Sequence, residues 1–283
     1  LDLRDNQIEK IPPEIGNLTE LQFIDLRQNN LNSLPKEIGN LEKLEVLSIE
    51  QNSIVSLPDE IGKLKNLVTL YAGKNKLESL PKTIGNLKNV TEMDVSQNIN
   101  LSSIPSEISK MDNLIKFSAG NNNLSELPEE IGNIPNLSDI DFKGNFLTKL
   151  PESIENLQYL IIVDLSSNKF EEFPVILTLI PALNKLSISD NKIKELPPDI
   201  QNMIFLEEFD LFGNQLTALP PEIGFMESLS VLNLFGNQLT TMPPEIENCR
   251  NIRMIDLKMN PIKEGDKYKI RRYIEGAEIR FTT

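Results

Sequence analysis

Residues 12–34 read PPEIGNLTELQFIDLRQNNLNSL, and residues 35–57 repeat the same design as PKEIGNLEKLEVLSIEQNSIVSL. In the first copy Ile15, Leu18 and Leu21 are spaced by three, which fits one face of a short α or 3-10 turn. Ile24 and Leu26 then alternate with polar residues, so both point one way, as on a half-buried strand. Asn29 closes the strand and Leu31 follows it by two. A strand and a helical turn within 23 residues cannot bury their apolar faces alone. They can do so against an identical neighbour.

The copies extend along the chain. Asn6, Asn29, Asn52, Asn75, Asn98, Asn122, Asn145, Asn168, Asn191, Asn214, Asn237 and Asn260 are 23 residues apart, except that Asn98 to Asn122 spans 24. A proline follows six places on, at Pro12, Pro35, Pro58 and Pro81, and slips to Pro105 in the long copy. Proline fixes φ where the chain enters its return segment. Glycines such as Gly16 and Gly39 let backbones approach. An asparagine amide both donates and accepts, so it can satisfy turn groups of its own coil and of the next. Stacked strands about 4.8 Å apart predict a concave parallel sheet roughly 55 Å along its arc, with short α or 3-10 segments on the convex side.

The consensus LxxLPxxIGxLxxLxxLxLxxNxL resembles the 23-residue leucine-rich-repeat class of the Ras-group proteins and of the Scribble, Erbin and Densin repeats. The resemblance implies an α/β solenoid of horseshoe form that recognises proteins in intracellular signalling or scaffolding. It covers residues 1–261, about twelve repeats. The first is expected to be truncated, because the chain opens mid-pattern at Leu1-Asp2-Leu3. Residues 262–283 leave the pattern. The stretch from Lys267 to Ile274 reads as an amphipathic helix, expected to form a C-terminal cap over the last edge.

Composition narrows function further. A formal net charge of -14 disfavours nucleic acid and anionic membranes and favours a protein partner with a basic patch. The chain has no histidine, no phosphate-cradling loop and no calcium-loop spacing, so neither catalysis, a metal, a cofactor nor a small-molecule substrate is expected. Cys249 is the one cysteine and falls in a leucine column, as a core residue. The lack of disulfides and of an apolar signal segment points to the cytoplasm. Asn17, Asn89, Asn100, Asn123 and Asn136 match the glycosylation pattern, which an asparagine-rich repeat produces incidentally.

The inward residues that are not core should lie four, two and one places before each asparagine. Seven of twelve at the first of these are aspartate, including Asp141, Asp164, Asp210 and Asp256, with Tyr71 and Asn233 among the rest. They either steer a basic partner or simply solvate the sheet. At the second position Phe212 and Phe235 occupy adjacent repeats, with Val231, Met254 and Met259 near. Core pressure does not explain them; a binding hot spot or a repeat duplication does. On the convex side Val175, Ile176, Leu179, Phe205 and Phe225 fall where other repeats are polar. That is either a second apolar patch or local repacking. The extra residue near Ile99-Asn100 should bulge one turn. Besides an intracellular scaffold, the sequence leaves open a recognition arm of a larger signalling enzyme (a kinase, cyclase, phosphatase or Roco GTPase) and an exported microbial protein that binds host protein.

Overall fold

A computed structural model of the chain describes residues 1–281, so the two final threonines of the expected cap lie outside the described residues. Every coil follows one path. Proline takes an extended conformation, a five-residue 3-10 turn follows, and a three-residue strand leads to the asparagine turn. The return segments are 3-10 rather than α, because after Pro35 only five residues, Lys36–Asn40, intervene before the chain must turn back.

The first unit comprises Leu1–Phe146 and Pro151–Leu157. It holds β1 (Phe23–Asp25), β2 (Val46–Ser48), β3 (Thr69–Tyr71), β4 (Glu92–Asp94), β5 (Lys116–Ser118) and β6 (Asp139–Asp141). Each pairs in parallel with the next, in register: Ile24 opposite Leu47, Leu47 opposite Leu70. The long copy does not disturb this, since Met93 still faces Phe117. Its extra residue is absorbed in the turn, where Ile99 projects at 74% exposure.

The second unit comprises Leu147–Leu150 and Gln158 onward. It holds β7 (Ile162–Asp164), β8 (Lys185–Ser187), β9 (Glu208–Asp210), β10 (Val231–Asn233), β11 (Met254–Asp256), helix α1 (Glu264–Tyr273) and β12 (Glu278–Arg280). These strands too are parallel, in sequence order. The helix begins three residues earlier than the sequence suggests. Beyond it the chain adds β12, which sequence alone does not reveal, alongside β11.

Both cores are leucine and isoleucine columns with phenylalanine at wider points. Phe117 meets Phe142 edge-on at 5.5 Å in the first unit, and Phe173 meets Phe209 at 6.2 Å in the second. Cys249 is buried and its Sγ lies 3.0 Å from the Ile223 carbonyl oxygen; burial pushes its thiol up to about 11. Gly39 shows why the convex side wants glycine: a Cβ there would stand 2.5 Å from the Glu60 carbonyl oxygen.

The asparagines form a buried ladder. Asn75 Nδ2 donates to the carbonyls of Ile49 (2.9 Å), Ala72 and Gly73, while its Oδ1 accepts from the Ile54 N–H at 3.0 Å. One side chain thus closes its own turn and that of the preceding coil. In the long copy Asn122 Oδ1 accepts instead from the Asn98 N–H, at 2.6 Å. The residue just before each asparagine has φ between +50° and +70° in all twelve repeats. Such left-handed backbone costs a side-chain-bearing residue about 1 kcal/mol, and glycine takes it freely at Gly144, Gly213 and Gly236. This position turns the chain and is not part of the sheet face, contrary to the sequence expectation.

Candidate functional site

Because side chains alternate on a strand, the sheet face is built from residues six, four and two places before each asparagine. The aspartates of the middle column have a local task first. Asp2, Asp25, Asp94, Asp141, Asp164, Asp210 and Asp256 each accept, through Oδ1, the backbone N–H two residues on. Asn233 does the same for Phe235. These bonds hold the strand's exit, as short side chains commonly do in turns.

In the first unit the chain neutralises several of these carboxylates itself. Arg27 grips Asp25 with two nitrogens, Nε to Oδ1 at 2.9 Å and Nη2 to Oδ2 at 2.6 Å. Asp25 is 1% exposed, and the guanidinium bond holds its carboxyl below the usual range. Arg4 pairs with Asp2 and Lys143 with Asp141. Tyr71 is half-buried, and burial raises its phenol. Glu50, whose carboxyl burial likewise raises, is 3.9 Å from Arg27.

In the second unit the face is more apolar and less compensated. A groove of about 330 Å³ is lined by Ile162, Val231 and Met254 from one column and Asp164, Ser187, Asp210 and Asn233 from the next, with the Lys185–Glu208 pair (2.6 Å) at its edge. Among the described residues no cation reaches Asp210 within ion-pair distance. Burial raises its carboxyl, and Asp164 and Asp190 add to that. Beside the groove Phe212 and Phe235 stack with centroids 5.2 Å apart and planes tilted by 38°. They are half-buried rather than fully exposed, because each ring covers the other.

Of the residues singled out from sequence, Asp164, Asp210, Val231 and Asn233 line the groove, and Phe212 and Phe235 flank it. Tyr71 and Asp141 belong to the first unit and take no part in it. Asp256 stands between Lys258 and Arg280, and Met259 is exposed in the left-handed turn. Ser187 lies in the expected aspartate column, whereas Ile162, Lys185 and Glu208 are not expected from sequence. Ile162, Lys185 and Glu208 start their strands six places before the asparagine, one alternation earlier than the columns read from sequence.

The convex side holds a second series of asparagines, eight places after proline. Asn66, Asn89, Asn113, Asn136 and Asn251 donate Nδ2 to the carbonyls of Glu42, Lys65, Lys88, Asp112 and Glu227 in the coil before. Two of these, Asn89 and Asn136, are glycosylation-pattern matches whose amides are therefore in structural use. A shallow concavity of about 620 Å³ lies along this series in the first unit, but its amide nitrogens are already committed to backbone. In the second unit Tyr159, Ala182, Phe205 and Ser228 replace the asparagine, while Asn251 retains it. Val175, Leu179, Phe205 and Phe225 are exposed there, the last two at 58% and 60%, while Ile176 is half-buried beside its core neighbour Leu177.

Among the described residues no group of three or more acidic or sulfur side chains could hold a metal, and no helix is long and apolar enough to cross a membrane.

Leucine-rich-repeat family models match residues 1–54, 20–77 and 42–99, and a second such model matches 182–203 and 228–249. No curated protein matches the chain. Among solved structures, a leucine-rich-repeat protein of Leptospira interrogans is 34% identical, with 99% of this chain and 83% of that one covered and a TM-score of 0.67. An internalin of Listeria monocytogenes aligns over 100% of this chain and 82% of its own at 21% identity and TM-score 0.86. The Drosophila Toll–Spätzle complex aligns over 99% of this chain and 38% of that one at 21% identity and TM-score 0.83. The last two show the fold alone. With a pervasive 23-residue repeat, parallel strands, 3-10 returns and a relative of this identity, the chain belongs to the leucine-rich-repeat family.

Proposed function

We propose that the sheet face of the second unit binds a protein partner and that the chain acts as a scaffold or recognition module in intracellular signalling, without catalysis of its own. The observation that carries this is the Phe212–Phe235 pair beside the groove. Two aromatic rings on the side of the sheet away from the core are not needed to fill it, and such rings are the usual anchors of protein interfaces. The net charge of -14 favours a partner with basic character over nucleic acid or an anionic membrane. The repeat signature supports the Ras-group or Scribble-like class and, with it, a cytoplasmic setting. In this reading residues 1–261 are the recognition repeats and 262–283 the cap, where Ile270 is buried and α1 packs on the last 3-10 turn, Pro244–Asn248.

The test is affinity capture with the wild-type chain beside Phe212→Ala/Phe235→Ala. Proteins retained by the first and lost by the second carry the reading, and Phe205→Asn serves as a convex-side control. An unchanged set of captured proteins would end it. The likeness to a Leptospira protein supports a second reading, a microbial repeat protein that binds a host protein. In that case host lysate, not lysate of the source organism, supplies the captured partner.

A further inference from the structure

We propose that the second unit's sheet face takes an arginine side chain from an extended segment of its protein partner, seated against the Asp210 carboxylate and the ring of Phe212. This rests on the reading of that face as protein-binding and adds the chemistry it selects.

The chain contains its own template for this contact. Asp25 and Asp210 occupy the same column of the repeat, four places before the asparagine, and Arg27 and Phe212 share the next, two places before it. The backbone sets both carboxylates alike: Asp25 accepts the Arg27 N–H at 3.1 Å and Asp210 the Phe212 N–H at 3.1 Å. In the first unit the side chain two residues on turns back and places a planar guanidinium across both carboxylate oxygens. In the second that side chain is a phenylalanine. The carboxylate keeps its orientation and loses its cation.

Three features say what replaces the cation. The carboxylate is partly buried and bonded by the Phe212 N–H and the Asn233 side chain, both neutral donors, while Asp164 and Asp190 are its charged neighbours, so its surroundings are short of positive charge. Phe212, backed by Phe235, offers a ring face on which a guanidinium stacks while it bonds the acid, as a compact ammonium does less well. The adjoining groove of about 330 Å³ is walled by Ile162, Val231 and Met254. That is the right size and polarity for an apolar neighbour of the arginine. Arginine is favoured over lysine because Asp25 shows two parallel nitrogen contacts, which only the forked group can make.

The experiment titrates the full chain with acetyl-Leu-Arg-Leu-Gly-Leu-amide and with its citrulline and lysine counterparts, followed by NMR of the methionine and isoleucine methyl groups. The arginine peptide should bind at least tenfold more tightly than the citrulline peptide and more tightly than the lysine peptide, with shifts at Ile162 and Met254. Asp210→Asn should remove the advantage and leave the melting temperature unchanged, because Asn233 already makes the same backbone bond in this column. Equal binding of arginine and citrulline peptides, no binding at millimolar concentration, or an arginine preference that survives Asp210→Asn each overturn the proposal. If protein capture still depends on Phe212 and Phe235 while Asp210→Asn leaves it intact, the protein-binding reading stands and only the arginine assignment falls.

Discussion

The coil that carries β1 and the coil that carries β9 share Asp and Leu at equivalent places, Asp25-Leu26 and Asp210-Leu211, and their chemistry separates at the next, where the first has Arg27 and the second Phe212. Arg27 lies over Asp25 and completes it; Phe212 lies beside Asp210 and supplies no cation. A repeat fixes backbone and core alike in every coil, so the residues two places before the asparagine are free to differ. In the first unit Arg4, Arg27 and Lys143 use this place to compensate an aspartate, as Lys258 does at the end of the second. In the second they give way to serine and then phenylalanine, which contribute less to the fold and more to a surface another molecule can use.

The largest expected effect breaks the compensated side. Arg27→Ala leaves a carboxylate that is 1% exposed with Arg4 alone, 3.9 Å away, as its cation. A fully buried pair loses 3–5 kcal/mol in that way, and because Arg27 is partly solvated the loss here should be about 2 kcal/mol. Its pH dependence follows from the lowered Asp25 carboxyl. A carboxyl depressed in the folded state adds stability above its unfolded value, near 3.8, and loses it as pH falls through the lower folded value. Chemical denaturation should therefore show the gap between wild type and variant full at neutral pH and closed in strong acid. A gap that persists in acid would mean that Arg27 acts by packing alone.

The second effect turns the β9 coil into the β1 coil. Phe212→Arg should fold its guanidinium onto Asp210 as Arg27 does on Asp25. The new pair offsets the lost ring contact, itself worth about 1 kcal/mol, so stability should stay within about 1 kcal/mol of wild type. Partner capture should disappear, since the chain now occupies its own site. Capture at the wild-type level would show that neither the ring nor the open carboxylate matters.

Much of this was legible in the sequence. The spacing of asparagines, leucines and prolines specifies the coil, the strand phase and the buried columns, because each is enforced by burial in every copy. The face was read less well. The sequence pattern marks the column four places before the asparagine, whereas β7 opens at Ile162, six places before Asn168. Simple alternation places the residue just before the asparagine on the face, but positive φ turns it away, and Gln28, Lys74 and Met259 give no sign of that in their side chains. Only Gly144, Gly213 and Gly236 hinted at it. The convex asparagines stand at fixed spacing in the sequence, but an exposed amide there gives no sign of the backbone carbonyl it bonds.

The smallest effect concerns that convex series, where the units differ again. Asn66, Asn89, Asn113 and Asn136 tie successive coils of the first unit, and Phe205 stands in the same column of the second with its ring 58% exposed. Phe205→Asn should let the new amide donate to the Pro181 carbonyl, the counterpart of Lys65 in the bond from Asn89. One solvent-edge hydrogen bond is worth about 0.5–1 kcal/mol, and little burial is lost with so open a ring. The variant should therefore melt slightly higher than wild type, with partner capture on the sheet face unchanged. A clear fall in melting temperature would instead mean that Phe205 packs into the return segment of the second unit, and that the apolar residues there serve the fold.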